Sequence, residues 1–189
     1  MKRYSKGQPG YRDYHKKREL FKVLIGAAAI VIQLLFREFA ASDALKNVLT
    51  VMSILSVLPT ANIAAPLIAS FRYRSLSPVF GEKVSVFEDK GIVLYELIIS
   101  SKQQLLPMDV LVILPDEIYA YCSDGKTDAS SAERYIKQML GRHKLDYNVK
   151  VSLDERAFLK RLGSLKPNET NEENDRANQA AALLKSLSM

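Results

Sequence analysis

The sequence predicts an α+β protein: an N-terminal transmembrane helical hairpin, then a small cytoplasmic α/β domain of element order α-β-β-β-α-β. Three observations lead there. Two long apolar segments lie close together near the N-terminus, positive charge is concentrated just before them, and residues 75–165 alternate helix and strand signals.

The chain has 189 residues, 48% of them hydrophobic and 25% charged, with a net charge of +6. That length suits one ordinary domain, or a small domain with an appendage, and is too short for a TIM barrel. Residues 1–22 hold eight Lys or Arg against Asp13 and Glu19, which equals the whole net charge. Residues 75–189 hold 15 basic and 17 acidic residues. The basic pI therefore belongs to the N-terminus and gives no nucleic-acid footprint for the later domain. Residues 1–19 read as a basic cytoplasmic tail dotted with Tyr4, Tyr11 and Tyr14. One cysteine, Cys122, permits no intrachain disulfide, and His15 and His143 stand far apart, so no zinc site is expected.

The first apolar segment, Leu20–Phe36, has one charge at its edge, Lys22; the second, Val48–Phe71, has none. A hydrocarbon core about 30 Å thick needs roughly 20 apolar residues. The second segment meets that length, and Lys22 and Arg37 extend the first by snorkelling. The second contains eleven of Leu, Ile, Val and Phe, which together favour insertion by roughly 3–7 kcal/mol. A pair of buried core helices and, for the first segment, a signal peptide are the competing readings. The loop 37–47 is charge-neutral, whereas the N-terminus and Arg72 and Arg74 are basic. By the positive-inside rule both termini lie in the cytoplasm of a multi-pass cell-membrane protein.

Within residues 20–72, Gly26, Ala29 and Gln33 recur on one helical face, and Thr50, Ser53, Ser56 and Thr60 on another. These small and polar stripes read as the packing seam of the hairpin. Pro59, Asn62 and Pro66 suggest a kink in the second helix.

In the domain at 75–165, Ser77-Pro78 opens a helix with Phe80, Val84 and Phe87 on one face, closed by Gly91. Ile92–Ile99, Asp109–Leu114 and Glu117–Cys122 read as strands, the last two joined by a tight turn at Pro115-Asp116. Ser130-x-x-Glu133 and Ser152-x-x-Glu155 read as capping boxes of two helices, with a strand at Asn148–Ser152 before the second. Glu96, inside an apolar strand, is expected to face solvent at an edge, and Cys122 to be a small buried hydrophobe. Residues 166–189 read as a polar linker and a loosely attached C-terminal helix with Ala181, Leu184 and Leu187 on one side; a partner-binding helix is the alternative.

The order α-β-β-β-α-β and the stretch PMDVLVILPDEIYAYCSDGK resemble the nuclease-related domain (NERD) family, which has a restriction-endonuclease-like fold. The resemblance covers roughly residues 78–152. Asp109 stands at the family's strand-initial aspartate, Pro115 at its turn, and Tyr119 at its second-strand aromatic. It implies a metal nuclease, but the positions expected to hold Glu and Lys are Cys122 and Asp124. A displaced D-x-K, Asp124-Gly125-Lys126, follows two residues on. The layout as a whole also resembles bacterial two-span membrane proteins, which assigns no activity.

The expected role is a membrane-anchored, non-enzymatic interaction or scaffold protein without cofactor or metal. Its partners would be the lipid bilayer and, through the hairpin seam, another membrane protein or a second copy; nucleic acid is not expected. One alternative is a membrane-anchored nuclease using Asp109, Asp124 and Lys126. Another is an accessory subunit of a membrane complex.

Overall fold

The computed structural model describes residues 4–101, 104–165 and 171–189, with side chains from 175 onward in the last stretch. The chain forms two compact units: residues 13–72, and residues 1–12 together with 73–189.

The first unit is a helical hairpin. Helix α1 runs Tyr11–Glu38 and α2 runs Asp43–Phe71. Ser42 caps α2, its hydroxyl accepting from the Leu45 N–H. Both helices are long and apolar enough to cross a membrane, and their apolar windows are 0% and 6% buried. Within this chain most of their aliphatic side chains face outward except along the seam. Two close approaches between the helices lie along it. Gln33 and Ser56 are within hydrogen-bond distance, with the Gln33 amide donating at 3.3 Å. A Cβ on Gly26 would stand 2.4 Å from the Thr60 hydroxyl oxygen, so only glycine permits this approach. Ser53 is buried and Ala29 half-buried. Ser53, Ser56 and Thr60 also return their hydroxyls to backbone carbonyls one turn earlier. Helix α2 continues through both Pro59 and Pro66.

The second unit is a mixed α+β layer structure. In chain order it contains α3 (Pro78–Ser85), β1 (Ile92–Ser100), β2 (Leu105–Ile113), β3 (Glu117–Tyr121), α4 (Ala129–Arg142), β4 (Asn148–Ser152), α5 (Glu155–Gly163) and α6 (Asn171–Leu187). The sheet order is β1-β2-β3-β4. The first three strands form an antiparallel meander, and α4 carries the chain across to β4, parallel to β3. One face packs Leu97, Leu111 and Ile118 against Ala132, Ile136 and Leu140 of α4 and Ala177, Ala180 and Leu184 of α6. The other packs Val110, Val112 and Tyr121 against Phe80 and Val84 of α3 and Phe158 and Leu162 of α5. Two buried faces explain why these strands are nearly continuous apolar runs. Gly91 is required at the entry to β1, because a Cβ there would meet the Ile113 carbonyl oxygen at 2.6 Å.

Several expectations need correction. β2 starts four residues before Asp109, at Leu105, and so contains Pro107, which pairs with Ile98. The caps of α4 and α5 are Asp128 and Asp154, which accept from Ser130 N–H and from Arg156 and Ala157 N–H. The proposed box residue Glu133 instead accepts from the Val151 N–H of β4 at 2.9 Å, plugging that edge. Helix α6 is not loosely attached: Ala177, Ala180 and Leu184 are fully buried. Residues 166–170 of the expected linker lie outside the described residues.

The outer edge of β1 is covered by both ends of the chain. Tyr95 N–H donates to the Gly7 carbonyl and Met189 N–H to the Ile98 carbonyl, each at 3.0 Å. Lys6 joins the two ends by donating to the Ser188 carbonyl at 2.7 Å, and partial burial lowers its pKa. Residues 4–12, expected within a basic tail, are thus part of this folded unit.

Candidate functional site

The centre of interest is a pair of buried carboxylates facing each other across β1 and β2. In the register of these strands Glu96 falls opposite Asp109, and each is only 3% exposed. At this step the side-chain alternation shifts by one on both strands. On one face Leu94 is followed by Leu97, and Met108 by Leu111, instead of by residues two apart. Glu96 adopts a left-handed backbone, φ +57°, which is what lets the pleat change phase while the register holds. A non-glycine residue in that region costs of order 1–3 kcal/mol, so surrounding contacts must hold it there.

Those contacts come from two places in the chain. Arg12 lies in the first turn of α1, where backbone N–H groups have no helical acceptor; its N–H donates to Glu96 Oε2 at 2.8 Å. A carboxylate at that helix end is also favoured by the helix dipole. Glu96 further accepts from Leu76 N–H at 2.8 Å and from the Ser75 hydroxyl at 3.3 Å. The Arg12 guanidinium, 4% exposed, pairs with Asp109 Oδ1 at 2.9 Å and donates to the Arg74 carbonyl. The other oxygen of Asp109 accepts from Ser123 N–H at 2.7 Å.

Arg12 is where the chain leaves this unit, and 74–76 is where it has just returned. Both points are therefore tied to one step of the sheet by two acidic side chains. A buried, hydrogen-bonded ion pair tolerates loss of neither partner, since the survivor would be left charged and unpaired. Glu96 thus corrects the expectation of a solvent-facing edge residue. No local signal could have singled out Arg12, because its partner lies 97 residues away.

The D-x-K residues serve a different structure. Asp124 begins a turn closed by Thr127 N–H on its carbonyl, and its side chain accepts from Lys126 N–H at 3.2 Å. Lys126 is exposed. Cys122 is fully buried, and burial pushes its thiol up; the thiol donates to the Thr127 hydroxyl oxygen at 3.4 Å. Among the described residues no group of three His, Cys, Asp or Glu is placed to hold a metal ion.

The chain matches no known family model, no curated protein and no solved structure. The resemblance to nuclease-related domains thus has no family match behind it, and the fold shown is a mixed α+β one.

Proposed function

We propose that this chain is a two-span membrane protein, with both termini cytoplasmic, that acts as a non-enzymatic interaction or scaffold module. Two helices of sufficient length whose apolar side chains face outward support the spans. The basic residues before α1 and at Arg72 and Arg74 support the orientation. The meander-crossover sheet supports a restriction-endonuclease-like ancestry for the α/β domain.

The observation that carries the non-enzymatic reading is the state of Asp109. The resemblance gives this residue a metal-binding role, yet both its oxygens are committed, one to Arg12 and one to Ser123 N–H. A carboxylate used to hold the chain at the hairpin's ends is a poor ligand for an incoming cation.

The test uses the full chain in detergent, because residues 4–12 and α6 are part of the folded unit. Isothermal titration with Mn²⁺ and Mg²⁺ is expected to show no binding, and incubation with DNA or RNA no cleavage. Metal-dependent cleavage abolished by Asp124→Ala would overturn the reading in favour of a nuclease. Orientation is checked in a Cys122→Ser background: Ser42→Cys should react with an impermeant maleimide on intact cells, and Ser164→Cys should not.

A further inference from the structure

The seam is not the only polar feature of α2. Pro59, Asn62 and Pro66 recur at i, i+3 and i+7, on a face distinct from Ser53, Ser56 and Thr60, and all three are exposed. Ala69 continues that face and Ala65 flanks it; both are exposed. The Asn62 carboxamide has no hydrogen-bond partner among the described residues. It lies nine residues before the end of α2 at Phe71, roughly 13 Å along the axis at 1.5 Å per residue. In a membrane-spanning α2 that depth is hydrocarbon.

Two backbone groups add to the demand on this face. A proline has no N–H, so Pro66 leaves the Asn62 carbonyl without its helical donor, and Pro59 does the same for the Leu55 carbonyl. An exposed carboxamide and two under-satisfied carbonyls, all in lipid, are costly unless another polar group meets them. The apolar stretch of α1 offers no partner: its one uncharged polar residue, Gln33, is paired with Ser56, and Lys22 at its edge is paired with Glu19.

We propose that this face of α2 binds a second copy of the chain, with the two Asn62 carboxamides hydrogen-bonded to each other across a twofold axis. The proposal rests on the membrane-spanning reading. A carboxamide is both donor and acceptor, so two of them satisfy each other reciprocally. Copies inserted in the same orientation place Asn62 at the same depth, which no other partner guarantees. The small Ala65 and Ala69 let the two helices approach closely enough for the pair to form.

The experiment reconstitutes the full-length protein in lipid vesicles and counts subunits by single-molecule photobleaching over a dilution series. Wild type is expected to dimerise. Asn62→Leu should weaken self-association about tenfold, the scale of one to two kcal/mol of interhelical hydrogen bonding. Asn62→Gln should retain most of it. In a Cys122→Ser background, Ala65→Cys or Ala69→Cys should cross-link between copies, whereas Ser53→Cys in the intrachain seam should not. A monomeric wild type, or a dimer indifferent to Asn62→Leu, overturns the proposal. So does a wild type that is monomeric alone but held by a different membrane protein through Asn62. Resistance to alkaline carbonate extraction is measured first: release from the membrane defeats the spanning reading itself, whereas retention without dimers defeats only this inference.

Discussion

The hairpin and the α/β unit are made of the same apolar residue types and use them oppositely. Leu24 and Leu58 in the hairpin are 58% and 66% exposed, whereas Leu97 and Leu111 in the sheet are 1% and 0% exposed. In the α/β unit the apolar side chains find each other, and the buried charges are met individually: Arg12 pairs with Asp109, Glu96 accepts from the Arg12 and Leu76 N–H groups, and Arg12 Nε has no partner among the described residues. In the hairpin Gln33, Ser53, Ser56 and Thr60 line the seam, Asn62 lies on another face, and most apolar side chains are turned outward. Burial in the α/β unit is driven by water; if the hairpin spans a membrane as proposed, that driving force has no counterpart between its helices. The difference shows that an apolar run in this chain must be read by what surrounds it, and it sets what substitutions should do.

The largest effect is expected at Arg12. Arg12→Ala leaves Asp109 buried without its cation and should lower the stability of the α/β unit by about 3–5 kcal/mol. Chemical unfolding of the full chain in detergent, followed by tyrosine near-ultraviolet circular dichroism, measures it. A loss below about 1 kcal/mol would show that the pair is not what holds the chain there. The next effect contrasts the two environments directly. Leu97→Ala should cost about 3 kcal/mol through lost burial and a cavity. Leu24→Ala should leave the unfolding midpoint of the α/β unit unchanged and only weaken membrane insertion by about 0.5 kcal/mol. Equal losses in the two variants would contradict the division into two environments.

How far the sequence could be read follows the same contrast. The two long apolar helices and the mixed α+β region after them are local and periodic, so composition and spacing suffice to find them. Gln33 reaches Ser56 and Gly26 approaches Thr60 between those helices. What local reading missed depends on partners distant in sequence. Arg12 looks like one more basic residue before a membrane segment until Asp109 is beside it. Glu96 looks like an edge residue because nothing local signals its left-handed backbone. Pro107 hid the first half of β2, since a proline argues against a strand unless its missing donor is not needed. The buried face of α6 is largely alanine, whose burial adds too little apolar area to stand out as a stripe. The two caps were misplaced because Asp128 and Asp154 compete with nearby serines for the same role.

Alkaline pH gives a smaller and graded test, confined to the α/β unit. Burial raises the pKa of Tyr95, Tyr119, Tyr121 and Tyr147, and Tyr95 is raised further by its hydrogen bond to Glu88 at 2.6 Å. A group whose folded pKa exceeds its unfolded value contributes stability that is complete below the unfolded pKa. That contribution is lost as pH rises from there through the folded pKa. The tyrosine contribution should therefore be complete below about pH 9 and fall above about pH 10, the ordinary tyrosine value, on top of an earlier loss from the buried Cys122 thiol that a Cys122→Ser background removes. Tyr95→Phe should make the fall shallower. A midpoint that does not move between pH 9 and 11 would count against these hydroxyls being held protonated by the fold.

The smallest effect separates burial of a ring from burial of its hydroxyl. Tyr147 is 1% exposed and its ring packs in the core beneath α6, with the Arg176 guanidinium 6.0 Å from the ring centre. Its hydroxyl is buried without a hydrogen-bond partner among the described residues. The ring contributes apolar burial, but the oxygen loses water and gains nothing in return. Tyr147→Phe keeps the ring and removes that cost, so it should raise stability by about 1 kcal/mol while also removing one contributor to the alkaline decline. Tyr119→Phe makes the contrast: that hydroxyl accepts from Arg161 Nη2 at 2.7 Å and donates to Glu117 at 2.6 Å, so its loss should destabilise. If the two substitutions shift the unfolding midpoint in the same direction, the opposite states of the two hydroxyls are not what sets their contributions.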